Sequence, residues 1–446
     1  MIYNLSTKIP FSSTSDELQE RRSFDFFRTE VVPTVSGHFG ARTWELVLQA
    51  CSREPVVIRA AVALGSLYEA SMIESENGGS RCIATSFPAR QYKRALGHLR
   101  QYLTQNNGID SNVVLICALI HMSIEVIQNN YVDALMHLEN SLQLMKAYAG
   151  PRMSRLADPE RDIDSELIDT FHSLDIHASS FQGMRLPAFT DFWTKTAIPG
   201  RFSGLKESHL TLNRIRSHLS YFTRSIAEEY KYRKLKEIPF EAIAEAASIR
   251  AEFSAWDERF QKYLHRSTSK FSRADQIVID ILLISHRLGT IEAATCIHDE
   301  ATFFDHFDAV FEEIVILAAN VIRARKSSRV LDFQQDIGVI QPLYRTAVMC
   351  RELWTRQKAI ALLKSIKFQE GVWNASAQVA IAQVAIDREN AFNDVAGVAD
   401  RPMEFARVHS VGTVIDPVKR VAEVILTQRL NGLDGPWHEH VEWCSW

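Results

Sequence analysis

Apolar residues recur at three- and four-residue spacing along most of this chain, whereas the two-residue alternation typical of strands is rare before residue 400. Side chains at that spacing fall on one face of a helix, so the pattern predicts a chain that is nearly all helix. Beyond residue 400 the helical pattern fades, and we leave the structure of that region open. Long periodic segments cover residues 205–235, 240–266, 273–298, 302–327, 342–366 and 371–392.

Two early helices have recognisable start signals. In the stretch SREPVVIRAAVALGSLYEA, Ser52 is a candidate N-cap and Pro55 stands in the first turn, where the missing N–H of proline costs nothing. The stretch SFPARQYKRALGHLRQYL has the same arrangement with Ser86 and Pro88. The sequence therefore predicts that a helix begins just after each of these serines.

The next two helices are predicted to form a hairpin. The first helix is predicted over residues 111–128 and is followed by Asn129 and Asn130. The second helix is predicted over residues 131–148. Such one-sided helices bury their apolar faces by stacking, so we expect an all-α fold of stacked helical hairpins that form one large helical body with a less regular C-terminal tail. The apolar stripe of the second helix consists of Leu135, Leu138, Leu142 and Met145.

Composition and charge narrow the function classes. Of the 446 residues 46% are hydrophobic, which is typical of a folded globular protein, and the formal net charge of −4 does not suit a chain that wraps nucleic acid by itself. The longest uncharged apolar run, VVLICALIHMSI, is well short of the roughly 20 residues that cross a bilayer, so we expect no membrane span. The N-terminus shows no secretory pattern, and we expect a location in the nucleus or cytoplasm.

The cysteines are scattered along the chain. They stand at positions 51, 82, 117, 296, 350 and 444, and no two lie within four residues of each other. A compact zinc site needs closely spaced pairs, so this spacing excludes a local zinc knuckle or binuclear cluster. We interpret Cys350 as a small buried side chain, and we expect no stoichiometric zinc and no cofactor.

One helix carries a weak metal-ligand pattern. Cys117, His121 and Glu125 recur at i, i+4 and i+8, but their helix is otherwise apolar and no matching His or Cys pair is evident elsewhere, so we predict no metal site. We interpret His438 and His440 near the C-terminus as solvated surface. The chain also lacks GxGxxG, P-loop, GxSxG and HExxH motifs, which leaves nucleotide-dependent and triad hydrolase chemistry without support.

Several stretches, taken in order, resemble one known family. They are SGHFGARTWELVLQACSREPVVIRAAVALGSLYE at 36–69, QYKRALGHLR at 91–100, NYVDALMHLENSLQLM at 130–145, LDIHASSF at 174–181 and GVIQPLYRTAVMCRELWTRQKAIALLKSIKFQEGVW at 338–373. Together they resemble the regulatory domain of the fungal-specific Zn2Cys6 transcription factors, in the second of its two common versions.

The resemblance implies a domain organisation and a class of function. It implies a family domain over residues 21–440, with a lead at 1–20 and a tail at 441–446. Members of the family usually carry an N-terminal cluster of six closely spaced cysteines that binds zinc and reads DNA. The scattered cysteines of this sequence do not match that cluster, so we expect a regulator's body without its DNA-binding part.

The helix at 171–181 departs from the family pattern. Ser173 and His177 stand where the family typically shows an Arg and a Gln, so a titratable imidazole has entered this helix. Asp175 could reach His172 at i, i+3 if both face the same side. One interpretation is a polar cap over a seam between helices, and the other is an acid/base pair that faces a cavity.

Three hypotheses about function follow. The first is a regulator that keeps the family's body, acts in fungal secondary metabolism, and binds a small apolar effector or a protein partner without specific nucleic-acid binding by this chain alone. The second is a cofactor-free biosynthetic enzyme, such as a cyclase, isomerase or pericyclase of the Diels-Alderase kind, that uses the same body to bind an apolar natural-product intermediate. The third is a structural scaffold. A homodimer is compatible with each.

A ligand pocket is predicted between the helices at 111–128 and 164–182. The many aromatic residues, 24 Phe, 11 Tyr and 8 Trp, make an internal apolar cavity plausible. If the chain is an enzyme, we expect His177, His172 and Asp175 to be its catalytic residues, with His177 as the principal donor. The predicted ligand-binding residues are His121, Arg185 and Trp193.

Overall fold

The structure is a computed structural model that describes residues 15–77, 86–104, 109–149, 163–181, 183, 185–188, 198–267, 271–325, 333–334, 338–396, 401–432 and 435–446. It confirms the all-α prediction, since helices make up the body and the longer strands lie in the C-terminal region. Chain contacts divide it into two compact units, Met1–Leu174 with Ser327–Asp336, and Asp175–Lys326 with Ile337–Trp446. The single domain proposed for 21–440 stays a prediction.

The first unit is a stack of helices. They are α1 Ser15–Phe26, α2 Val32–Val35, α3 Ala41–Cys51, α4 Pro55–Asn77, α5 Phe87–Thr104, α6 Ser111–Ile127, α7 Tyr131–Ala149 and α8 Ser165–Phe181, of which α8 belongs to this unit up to Leu174. A π-helical turn, Phe27–Val31, joins α1 to α2, and the short strand β1 is Phe333–Gln334.

Helix α4 packs against α1, α3, α5 and α6 and so forms the centre of the first unit. Its side chains Leu64 and Tyr68 are buried. A Cβ on Gly65 would lie 2.2 Å from the backbone oxygen of Ser23, so only glycine lets α1 approach α4 this closely.

The sequence signals for helix starts are partly confirmed. Pro55 opens α4, and α5 begins at Phe87, directly after Ser86. Ser52 is not the N-cap of α4. It follows the last residue of α3, and its hydroxyl donates a hydrogen bond to the carbonyl of Gln49 at 2.6 Å, because the two helices are joined by only three residues and Ser52 remains in the last turn of α3.

The second unit contains the rest of α8 and most of the remaining helices. These are α9 Leu205–Phe222, α10 Glu228–Tyr230, α11 Phe240–Ser267, α12 Arg273–Thr295, α13 Asp308–Ala324, α14 Ile340–Met349, α15 Leu353–Ser365 and α16 Ala375–Ala396. Short helical turns are the π-helical segment Thr223–Ala227 and the 3-10 segments Leu235–Glu237, Ala301–Phe307 and Glu404–Ala406. Trp256 on α11 stacks on Phe260 and His286, with ring centroids 4.5 Å and 5.0 Å away.

The region beyond residue 400, left open by the sequence, forms an antiparallel sheet. Its strands are β4 Ser410–Asp416, β5 Val421–Gln428 and β6 His438–Ser445, in the order β4-β5-β6, and a separate small hairpin pairs β2 Gln369–Glu370 with β3 Trp373–Asn374. Ala422, Val424 and Leu426 of the central strand are fully buried on the face that packs against α16. None of the described helices combines the length and the apolar character that crossing a bilayer requires.

Candidate functional site

His121 lies in the middle of α6, the most apolar helix of the first unit. The sequence VVLICALIHMSI places apolar residues on every side of this helix, and its described side chains are buried from Val113 to Val126, apart from the half-buried Val114. A helix that is apolar all round belongs in the interior, and Asp110 caps its start by accepting a hydrogen bond from the backbone of Asn112 at 2.8 Å. His121 itself has no solvent exposure.

Two aromatic rings flank the imidazole of His121. Tyr92 on α5 meets it edge-on and His137 on α7 lies beside it, with both ring centroids 5.6 Å away. Neither ring nitrogen of His121 has a hydrogen-bond partner among the described protein atoms. Burial, and then the neighbouring His137, lowers the pKa of His121 from 6.5 to about 3, so this imidazole is neutral at physiological pH.

Glu125, one turn further along α6, ties three helices together. One carboxylate oxygen accepts the hydroxyl of Tyr92, and the other accepts the side-chain amide of Asn130 at 2.9 Å. The same amide also donates to Asp133 on α7 at 2.6 Å. Burial, and then Glu125, raises the pKa of Tyr92, so the phenol stays protonated and keeps donating. We call His121, Tyr92, His137 and Glu125 the His121 cluster.

The turn between α6 and α7 positions the cluster. Asn129 adopts a left-handed backbone conformation with φ of 60°, which asparagine tolerates better than most residues, and the backbone N–H of Asn130 donates to the Glu125 carbonyl at 2.8 Å. The predicted hairpin at this asparagine pair is therefore confirmed. His137 stands one residue before Leu138 of the apolar stripe, so it lies at the border of the α6–α7 seam.

The chemistry of the His121 cluster favours hydrogen bonding over metal binding or proton transfer. Burial raises the pKa of Cys117 to about 12, so the thiol keeps its proton, and Glu125 already accepts two hydrogen bonds. Within the described residues no group of three or more His, Cys, Asp or Glu side chains could hold a metal ion. A neutral imidazole in apolar surroundings can donate one hydrogen bond and accept another.

Asp175 and Arg185, both predicted site residues, come together in the second unit. The guanidinium of Arg185 lies 2.6 Å from the buried carboxylate of Asp175 and also donates to the hydroxyl of Ser179 at 2.8 Å. The backbone N–H of Ala188 donates to the other oxygen of Asp175 at 2.6 Å. This carboxylate therefore anchors residues 185–188 to α8.

The other predicted site residues lie in different units of the chain or outside the described residues. His172 is buried in the first unit, where burial lowers the pKa of its imidazole from 6.5 to about 4. His177 is half-buried on the part of α8 that belongs to the second unit, and Trp193 lies outside the described residues. His121 contacts the rings of Tyr92 and His137, neither of which was predicted. The full set of site residues stays a prediction.

The second unit also contains a buried charge network that the sequence did not predict. The carboxylate of Glu389 on α16 accepts hydrogen bonds from Arg351 at 2.7 Å, from Arg356 at 2.6 Å and from the backbone N–H of Val408 at 2.8 Å. Burial opposes ionisation, but the two guanidinium groups hold the pKa of Glu389 below its ordinary value. Nearby Cys350 is a buried thiol with a pKa raised to about 12 by burial, in agreement with its interpretation as a core residue.

Most of the first unit and part of the second match one known protein family. A model described as the fungal specific transcription factor domain matches residues 22–291, more than half of the chain. This chain belongs to that family. The match includes the whole His121 cluster and α8, and it confirms the resemblance inferred from the sequence.

One curated relative is a transcription regulator. The chain is 21% identical over 258 residues to the aspercryptin biosynthesis cluster-specific transcription regulator atnN of Emericella nidulans, strain FGSC A4. The matched region covers 55% of this chain and 40% of the relative, so the chain spans less than half of the relative's length. No solved structure matches this family member.

Proposed function

We propose that this chain is the effector-binding body of a fungal transcription regulator that acts in the nucleus, and that a small apolar effector binds at the His121 cluster. Membership of the fungal specific transcription factor family supports the regulatory role. The name of the curated relative, a regulator specific to one biosynthesis cluster, supports a role in secondary metabolism, with a natural product or its apolar intermediate as the effector.

The observation that carries the effector proposal is the state of His121. A buried polar group without a hydrogen-bond partner costs roughly 1–3 kcal/mol by protein mutational data. Natural proteins accept such costs mainly at functional sites. An effector with one hydroxyl or carbonyl on an apolar skeleton would satisfy His121 and would fit the apolar residues of α6.

The predicted acid/base pair of His172 and Asp175 supports the enzyme hypothesis less well than the His121 cluster supports effector binding. Asp175 is held by Arg185 and by the backbone of Ala188, so its carboxylate serves the packing of α8 in the described structure. Burial also lowers the pKa of His172 to about 4, which makes this imidazole a weak base. The enzyme remains an outcome of the test described below.

A reporter experiment separates an effector contact from a merely structural histidine. The chain is fused to a heterologous DNA-binding domain in a fungal host, and reporter output is compared between wild type and His121→Phe. We expect the variant to be at least as stable as wild type, because the unpaired imidazole is removed, and to lose most of the reporter response.

The matched control is Ser123→Ala, two residues along α6. Ser123 is also fully buried, but its hydroxyl donates to the carbonyl of Leu119 at 3.0 Å, so the group is satisfied within its own helix. We expect this variant to respond like wild type. An unchanged reporter response in a folded His121→Phe protein would contradict the proposal.

A further inference from the structure

Within the described part of the chain, strand β6 forms an open edge of the C-terminal sheet. The strand order is β4-β5-β6, and the described pairing of β6 is with β5 alone. Every residue of β6 is exposed or half-exposed, and the strand contains no proline, glycine or lysine that would discourage further pairing. The edge of such a strand presents unpaired backbone N–H and C=O groups that can accept another strand.

The side chains of β6 are self-complementary around Val441. If two copies of the strand pair antiparallel with Val441 opposite Val441, then His440 of each copy stands opposite Glu442 of the other. Within one copy these two side chains already form a contact, with His440 Nε2 2.7 Å from Glu442 Oε1. The pairing would therefore close a ring in which histidine and glutamate alternate, an arrangement that favours this register.

The outer face of the sheet, opposite the buried residues Ala422, Val424 and Leu426, also exposes apolar side chains at this edge. Val441 and Trp443 are 48% and 67% exposed, although they lie on the same face as the half-buried Ile425 of β5. Two copies joined at β6 would bring the two Val441 side chains together, with Trp443 of each copy opposite Glu439 of the other, and would cover part of this apolar surface. Covering these side chains would remove apolar surface from water, which favours the pairing.

We propose that β6 pairs with β6 of a second copy of this chain, antiparallel and centred on Val441, to form one six-stranded sheet. A second copy is the occupant that fits because the charge pattern of the strand complements itself under a two-fold axis, which is the symmetry of a dimer of identical chains. A foreign strand would have to supply the same pattern by coincidence. Pairing at β6 does not depend on effector binding at the His121 cluster.

A disulfide trap tests the register. In a Cys444→Ser background, Val441→Cys places two thiols opposite each other at the Cα spacing of about 4.5–5.5 Å that antiparallel pairs have and that a disulfide can bridge. We expect mild oxidation to convert most of the protein to a covalent dimer, while Trp443→Cys in the same background gives little, since residue 443 stands opposite residue 439. Equal amounts of Trp443→Cys and Glu439→Cys chains, mixed, should cross-link again.

Sedimentation across a concentration series tests the charge pattern without cysteines. We expect wild type to form dimers and His440→Glu to raise the dimer dissociation constant at least tenfold, because it places glutamates opposite each other. The double exchange His440→Glu with Glu442→His should restore the dimer, and Val414→Lys on the opposite edge strand should leave it unchanged. A monomer at all concentrations, a dimer insensitive to His440→Glu, or equal trapping at 441 and 443 would overturn the proposal.

Discussion

At the scale of single residues, the buried charges and imidazoles set the chemistry of this protein. The Glu389 network contains one carboxylate between two guanidinium groups, all with less than a tenth of their surface exposed. Removing one partner of a buried ion pair is far more costly than removing a surface pair, since it leaves charges that are neither solvated nor paired. The carboxylate is the member that both arginines share.

We therefore expect Glu389→Ala to lower the free energy of unfolding by about 3–5 kcal/mol. Arg351 and Arg356 would lose their shared acceptor, and the backbone N–H of Val408 would lose its partner. Denaturant unfolding measures the change. Glu312→Ala, at an exposed position of α13, is the control and should change stability by less than about 0.5 kcal/mol. Equal effects of the two substitutions would argue against a tightly packed network.

His121 gives the protein a predictable dependence on pH. Its folded pKa of about 3 lies below the ordinary 6.5, so the unfolded chain binds the proton more readily and stability falls as pH drops below 6.5. Between pH 7 and pH 5 this one group lowers the free energy of unfolding by about 2 kcal/mol.

The comparison of wild type with His121→Phe isolates this contribution from the other histidines. Urea unfolding at pH 7, 6 and 5 should show a loss of stability that is about 2 kcal/mol smaller in the variant. If both proteins lose the same stability between pH 7 and pH 5, His121 does not have the depressed pKa that its burial implies.

Only some of the residues in the His121 cluster could be predicted from the sequence. His121 stood out because it interrupts an apolar helix, and it is fully buried. Tyr92 and His137 could not be assigned to it, since their contacts with His121 depend on how α5 and α7 pack against α6. Arg351 and Glu389 are 38 positions apart in the sequence, and no local sequence pattern predicts such a contact.

At the scale of elements, the sequence predicts the helices better than it predicts the C-terminal sheet. The helices of the first unit could be located from local signals, because each signal constrains the backbone of the residues that carry it. These signals are the helical spacing of apolar residues, the prolines at 55 and 88 and the asparagine pair at 129–130. The sheet was missed, although VAEVILTQ in β5 alternates buried and half-buried positions. Its flanking strands β4 and β6 have little apolar alternation, because none of their residues is buried and neither face has to be apolar.

Helix α12 offers a test of local capping. The hydroxyl of Ser272 accepts the backbone N–H of Asp275 at 3.1 Å, and the carboxylate of Asp275 accepts the backbone N–H of Ser272 at 2.9 Å. We expect Ser272→Ala to cost about 1 kcal/mol in thermal or denaturant unfolding, since this reciprocal cap is lost.

The matched control for this cap lies on α11. Ser254 is exposed in the helix interior and donates to the carbonyl of Arg250, where alanine is the better helix former. Ser254→Ala should therefore be neutral or slightly stabilising. A loss of stability at Ser254 as large as that at Ser272 would show that the cap is not the cause.

At the scale of the whole molecule, net charge bears on whether this chain is expected to bind DNA alone. The formal charge of −4 and the wide spacing of the cysteines give no support to sequence-selective DNA binding by this chain alone. We expect gel-shift titrations with duplex DNA to show no sequence-selective complex. A selective complex that survives 200 mM salt would contradict this expectation.

If this chain is a regulator of the proposed kind, it binds an apolar effector at the His121 cluster and releases it unchanged. The direct test incubates purified wild type and His121→Phe with the intermediates and products of the biosynthetic pathway that its gene neighbours encode. Retained and released compounds are then identified by mass and retention time. We predict that wild type retains a compound saturably, that His121→Phe retains at least tenfold less, and that the compound is recovered with its mass and retention time unchanged. A new product, or equal retention by both proteins, would contradict the claim.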